Sequence, residues 1–140
     1  MEISKELLSE VLGEDVRLGI YTTVESDEDE LVQHIMKIEI YGNRVSYWRY
    51  YKEWDDGSTM VRCQININEL AFKLKEWAFT KYRILINSRT TLKTEEVTGY
   101  AECIKSCDYL YGSYAETEVE AIVEACEWVL KEINEKQLQH

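Results

Sequence analysis

The pattern of apolar and polar positions is most regular near the end of the chain, between Thr117 and Ile133. Apolar residues recur there at intervals of three and four, which is the spacing of one buried face of an α-helix. Thr117 and Glu120 have the spacing of a capping box, in which each side chain bonds a free backbone N–H group in the first turn. The stretch therefore predicts a helix over 117–133 that packs one face against a sheet or another helix.

Two further helices are predicted upstream. Asn66 opens one that runs to about Tyr82, with Glu69 completing a second capping box. Its apolar stripe consists of Ile67, Leu70, Ala71, Leu74, Trp77 and Ala78. This segment and the C-terminal one have similar caps and similar length, through duplication or through independent use of the same capping. A short amphipathic helix over Ser4–Leu12 is expected to end at Gly13.

The remaining chain alternates in the manner of β-strands. The predicted strands are Asp15–Val24, Gln33–Tyr41, Arg44–Trp54, Thr59–Ile65, Arg83–Ser88, Glu95–Ile104 and Cys107–Tyr114, with a polar loop over Arg89–Thr94. Short connections between strands favour antiparallel pairing. We therefore predict a single α+β domain over residues 1–140, with a mainly antiparallel sheet, two similar helices packed on one face and a short N-terminal helix.

The strongest turn signal is Gly42-Asn43, which predicts a two-residue hairpin loop. The resulting register pairs Tyr41 with Arg44, Ile40 with Val45, and Ile38 with Tyr47. We expect the core face of this hairpin to consist of Met36, Ile38, Ile40, Val45, Tyr47 and Tyr51. The opposite face carries Trp48, Tyr50 and Trp54. The sequence leaves three candidates for covering this face: the N-terminal helix, a second subunit or a target protein. Exposed aromatic patches mark interfaces, so we expect these three residues to bind a partner protein or to form a homo-oligomer, most simply a dimer.

Charge narrows the choice of partners. The 140 residues carry a formal net charge of −11, which disfavours direct binding to nucleic acid or to an anionic membrane. The sequence has no apolar run of about 18 residues, and its first segment lacks the basic start of a secretory signal. We expect a cytoplasmic protein, with its four cysteines reduced.

Part of this charge is concentrated in one short segment. Glu25, Asp27, Glu28, Asp29 and Glu30 lie in a row that only Ser26 interrupts. Such a run is ordinarily a solvated loop between strands. The alternative is an acidic surface that binds a basic partner, and we include these five residues with the partner-binding candidates.

Residues suited to catalysis are few. The chain has two histidines, four dispersed cysteines and no glycine-rich phosphate loop. Cys103 and Cys107 lack the second pair that a zinc site of the usual spacing requires. We therefore assign no catalytic, cofactor-binding or metal-ligating residue and expect no cofactor. Carboxylates alone support some hydrolytic chemistry, so an enzyme that uses them stays open as an alternative.

The segment from Tyr114 to Leu130, which includes Ala115-Glu116-Thr117 and an alanine-containing helix, resembles the end of small phage and prophage proteins with an α-β-α sandwich domain. The segment from Asn66 to Trp77 is similar to an earlier helix in some of those proteins. The resemblance implies a phage or prophage origin and a fold of helices on a sheet. It brings no catalytic residues.

Two functions compete at this point. The first is a phage-encoded binding protein that inhibits a host defence protein, in the manner of an anti-CRISPR, by occupying a basic nucleic-acid channel. Its acidic run would substitute for phosphates, and its aromatic hairpin would supply apolar anchors. The second is a small phage accessory enzyme or metabolic protein whose working groups are carboxylates.

Overall fold

The structure of the chain is a computed structural model, which describes residues 1–24, 30–52, 58–93 and 95–135. The elements in chain order are α1 (Lys5–Leu12), β1 (Asp15–Val16), β2 (Gly19–Val24), β3 (Leu31–Met36), β4 (Glu39–Tyr41), β5 (Arg44–Lys52), β6 (Ser58–Asn66), α2 (Ile67–Tyr82), β7 (Leu85–Lys93), β8 (Glu96–Lys105), β9 (Asp108–Ala115) and α3 (Glu118–Asn134). Every strand pairing is antiparallel among these residues. The α+β class predicted from the sequence is confirmed.

The three helices begin and end where their local signals place them. The side chain of Ser4 accepts a hydrogen bond from the Leu7 N–H group at the start of α1, and Gly13 ends this helix with a φ of 66°. Asn66 caps α2 by accepting from the N–H groups of Asn68 and Glu69. Thr117 caps α3. These signals lie within one or two helical turns, which is why the sequence alone reveals them.

Strand β5 is the centre of the first sheet. Strand β6 pairs along one of its edges, while β4 and β1 share the other edge. The predicted turn at Gly42-Asn43 is confirmed, with Tyr41 opposite Arg44. Pairing of β4 with β5 ends at Glu39, so the expected pair between Ile38 and Tyr47 falls beyond the strand.

Two predicted long strands are interrupted, which is the main correction to the expected topology. The segment 15–24 divides into β1 and β2, and the segment 33–41 divides into β3 and β4. After Val16, the Arg17 N–H group still bonds the Trp48 carbonyl, and the chain then leaves the sheet at Gly19, where φ is 135°. Strands β2 and β3 consequently pair with each other as a separate hairpin.

The second sheet consists of β7, β8 and β9, and α3 covers one of its faces. The expected polar loop over Arg89–Thr94 is wrong for its described part, because β7 continues to Lys93 and pairs with β8 throughout. Thr94 itself lies outside the described residues. Polar side chains are compatible with this strand because they have partners: Arg89 lies over the Tyr100 ring, and the Thr90 hydroxyl donates to Glu118 of α3.

Helices α2 and α3 pack against each other, and both contact β7. Their buried residues join those of α1 and both sheets in one continuous core. The predicted core face of the β4–β5 hairpin is confirmed at Val45 and Tyr47, which are buried. It is wrong for Tyr51, which is 44% exposed and pairs with Thr59 one position before the last pair of β5 and β6, Lys52 with Ser58.

Candidate functional site

The β2–β3 hairpin presents an aliphatic face that no described element covers completely. Cross-strand pairs in an antiparallel hairpin point to the same side, and here Ile20 pairs with Ile35 and Val24 with Leu31. The exposed fractions of these four side chains are 65%, 69%, 59% and 68%, respectively. We call Ile20, Val24, Leu31 and Ile35 the aliphatic face. Several large apolar side chains exposed on one face are typical of an interaction surface.

The other face of the hairpin packs on β5. The rings of Tyr21 and His34 lie 6.5 Å and 6.0 Å, respectively, from the ring of Trp48. The Thr23 hydroxyl oxygen lies 3.2 Å from His34 Nε2, which adds a polar contact between the strands. Trp48, expected as a partner-binding residue, is thus half-buried and holds the hairpin against the first sheet.

Tyr50 lies at the base of the same hairpin. The guanidinium carbon of Arg17 is 4.4 Å from the centre of the Tyr50 ring, a cation–π distance. Tyr50 also lines a cavity of about 370 Å³, together with Arg17, Leu18, Ile20, Met36 and Met60. Because Ile20 belongs to both, the cavity and the aliphatic face are adjacent parts of one surface.

The acidic run connects the two strands of this hairpin. Glu25, Asp27, Glu28 and Asp29 lie outside the described residues, and Trp54 does too. Glu30 is exposed and directly precedes β3. By its place in the chain, the run follows Val24 and leads to Leu31, the last cross-strand pair of the hairpin. Chain connectivity thus links the predicted acidic residues to the aliphatic face.

A polar network supports the first sheet behind this site. The Tyr47 hydroxyl donates a 2.9 Å hydrogen bond to Glu14, and Arg49 lies 3.3 Å from the other oxygen of the same carboxylate. Burial, followed by the bond to Glu14, raises the pKa of Tyr47. A tyrosine held protonated in this way fixes the position of β5 against the segment between α1 and β1.

The buried cysteines have the environment of structural residues. The thiols of Cys103 and Cys126 donate to the carbonyls of Ala125 and Leu74 at 3.8 Å and 3.7 Å, respectively. Burial raises the pKa of Cys103 to about 12 and also raises the pKa of Cys126. Both thiols are therefore protonated at neutral pH and are poor nucleophiles. In residues 1–24, 30–52, 58–93 and 95–135, no group of three or more His, Cys, Asp or Glu side chains is placed to hold a metal ion.

A second aromatic surface, not predicted from the sequence, lies on the outer face of the second sheet. The rings of Tyr100 and Tyr114 lie 4.6 Å apart, and Arg89 lies over Tyr100. The Tyr100 hydroxyl donates to Glu102, which also accepts from Asn87, and the former bond raises the pKa of Tyr100 to about 12. The sequence contains one signal for this surface, which is the alternation of Tyr100 and Glu102 on β8 with the small residues beside them. The polar groups here bond to one another, so the β2–β3 hairpin is the stronger candidate.

The sequence does not predict the aliphatic face either, because its pattern places Ile20 and Ile35 in longer strands of one sheet. Their alternation with polar neighbours predicts a two-sided strand but does not say which side a helix covers. None of the three helices within the described chain has the length and apolar composition that a membrane span requires. No protein-family model, curated protein or solved structure matches the chain.

Proposed function

We propose that this chain is an acidic binding protein that uses the β2–β3 hairpin to dock on a basic, partly apolar surface of a host protein. The observation that supports this proposal is the aliphatic face of the hairpin, where four side chains are each more than half exposed. The acidic run is continuous with the two strands that carry this face. Protein-binding sites have an apolar core and a polar rim, and in this proposal the aliphatic face is the core and the acidic run belongs to the rim.

The two parts of this surface have different roles in binding. Burying one aliphatic side chain contributes about 1.5–3 kcal/mol, so the aliphatic face supplies most of the affinity. The acidic run and the net charge of −11 speed the encounter with a basic partner. We therefore expect salt to change the association rate and aliphatic substitutions to change the dissociation rate.

The specific form of this proposal is a phage or prophage protein that inhibits a host defence protein, as anti-CRISPR proteins do. The acidic run would enter a basic nucleic-acid channel and compete there with phosphate groups. This form is supported by the charge balance and by the resemblance of the segment 114–130 to phage sandwich-domain proteins. In it, Tyr50 contributes through the cavity at the hairpin base, and Trp48 acts by holding the hairpin in place.

The test uses the intact chain as bait in bacterial host lysate. Its main variant neutralises Asp27, Glu28, Asp29 and Glu30 as Asn or Gln. The matched control neutralises Glu2, Glu6, Glu95 and Glu96, which are exposed and lie elsewhere. Both variants change the net charge equally, so a difference between them reports the position of the charge. A third variant, Ile35→Ser, removes one member of the aliphatic face.

We expect a nucleic-acid-binding protein to be captured by the chain and the control variant, and to be lost with the acidic-run variant and with Ile35→Ser. A short duplex DNA should displace the purified partner from the chain. Equal capture by the two neutralised variants would exclude a specific role for the acidic run. Retention in the presence of saturating DNA would exclude occupation of a nucleic-acid channel.

A further inference from the structure

Helix α2 has a second apolar feature on the side that faces away from the core. Phe72 and Phe79 are 66% and 49% exposed, although both belong to a helix whose opposite face is buried. Lys75 and Glu76 lie between them on the same side, because positions three, four and seven residues apart share one helix face. We call Phe72, Lys75, Glu76 and Phe79 the outer α2 stripe.

A groove of about 510 Å³ lies beside one end of this stripe. Ala71, Val119 and Ile122 contribute its apolar surface, and Phe72 and Lys75 also line it. Phe79 is not among the lining residues and lies two helical turns further along α2. Each chain therefore carries a groove with mixed apolar and polar lining at one end of the stripe and a half-exposed phenylalanine at the other end.

The order of residues along the stripe is self-complementary. The midpoint between Phe72 and Phe79 is also the midpoint between Lys75 and Glu76. Consider an antiparallel copy of the helix, related by a two-fold axis through this midpoint. Phe72 of each copy then lies opposite Phe79 of the other. The same axis places each lysine opposite a glutamate. Two-fold symmetric contacts require this kind of self-complementary surface.

We propose that a second copy of this chain occupies the groove, through an antiparallel contact between the two α2 helices. The Phe79 side chain of each copy packs beside Phe72 at the groove of the other, and Lys75 pairs with Glu76 across the axis. This assigns the homodimer to the outer α2 stripe. The β2–β3 hairpins remain available to a different partner, so the proposal does not depend on the proposed function.

The test measures the molar mass of the full chain by light scattering and sedimentation equilibrium between about 1 and 200 µM, so that a dimer of micromolar affinity is detected. We expect a concentration-dependent dimer. Phe79→Asp should weaken dimerisation by about a hundredfold, because symmetry places two charges in the apolar contact. The control is Leu92→Asp, which alters a side chain that is 76% exposed on β7 and should leave the dimer intact.

A charge exchange tests the register of the two helices. Glu76→Lys should weaken the dimer by about tenfold, since symmetry repeats the unfavourable lysine–lysine contact. Adding Lys75→Glu to that variant restores opposite charges across the axis and should recover most of the affinity. A monomeric wild-type chain over the whole range, a dimer that survives Phe79→Asp, or an equal loss in the single and double charge variants would each overturn the proposal.

Discussion

The β2–β3 hairpin and the β7–β8–β9 sheet are built from similar alternating sequences and differ in what covers them. Ile86 on β7 is 3% exposed because it faces the core, whereas Ile35 on β3 is 69% exposed. Both residues are isoleucines in antiparallel strands. The difference shows that alternation predicts a two-faced strand, while burial depends on whether another element packs on one of the faces.

The face of the second sheet towards α3 is adapted to a close helix. Gly99 and Ala101 on β8 and Ser113 on β9 lie where α3 crosses, and the Ser113 hydroxyl donates to Glu124 of that helix. Tyr111 stacks on Trp128 at 4.9 Å. The β2–β3 hairpin has two strands and large side chains on its free face. Two-stranded hairpins are marginally stable alone, so this one depends on the packing of Tyr21 and His34 on Trp48.

The largest expected effect is the difference in stability between an isoleucine-to-alanine substitution in the β7–β8–β9 sheet and the same substitution in the β2–β3 hairpin. Ile86→Ala should lower the free energy of unfolding by about 3 kcal/mol, because it leaves a cavity in the core. Ile35→Ala should change it by less than about 0.5 kcal/mol, because most of this side chain already contacts solvent. Urea denaturation of the two variants measures the difference. Similar losses at both positions would mean that the aliphatic face is covered in solution.

A smaller effect is expected from filling the space between β8 and α3. A Cβ atom at Gly99 would lie 2.1 Å from the carbonyl group of Thr117, so the chain has no room for even a methyl group. Gly99→Ala should destabilise the chain by about 2 kcal/mol, since the start of α3 must shift. Val97→Ala, two residues earlier on β8 and 58% exposed, is the control and should have little effect. If the two variants melt alike, β8 and α3 are further apart than this contact requires.

The smallest expected effect is a pH-dependent contribution to stability from Glu118, at the start of α3. Glu118 accepts hydrogen bonds from Ser88 at 2.7 Å and Thr90 at 2.9 Å, and the bond from Ser88 is the main cause that lowers the pKa of Glu118. The unfolded chain therefore takes up this proton at higher pH than the folded chain does. The stabilisation is complete above the unfolded pKa of about 4.3 and is lost as the pH falls through the folded pKa.

Glu118→Gln should cost about 1 kcal/mol at pH 7, and the difference from the wild-type chain should shrink towards pH 3. Denaturation curves at several pH values provide the measurement. Ser88→Ala removes the main donor and should reduce the same pH dependence. If Glu118→Gln is destabilised by the same amount at every pH, the loss of stability comes from packing and not from the charge of the carboxylate.

The candidate site was predictable only in part. The acidic run and Tyr50 were identified from residue type, and Tyr50 does line the cavity at the hairpin base. Trp48 was expected to face a partner but lies against Tyr21 and His34. Tyr21 and His34 belong to β2 and β3, which are distant from Trp48 in the sequence. No local pattern near Trp48 therefore indicates that these two side chains cover it.

The sequence by itself determined the three helices and the Gly42-Asn43 turn, because caps, periodicity and turn residues act over a few neighbouring positions. Only the tertiary structure decided that the segments 15–24 and 33–41 divide, that β7 extends to Lys93, and that Ile20 and Ile35 face solvent. Each of these outcomes depends on which distant segment supplies the partner of a strand. Strand pairing and the covering of a face are contacts between residues far apart in the chain, and local patterns do not specify them.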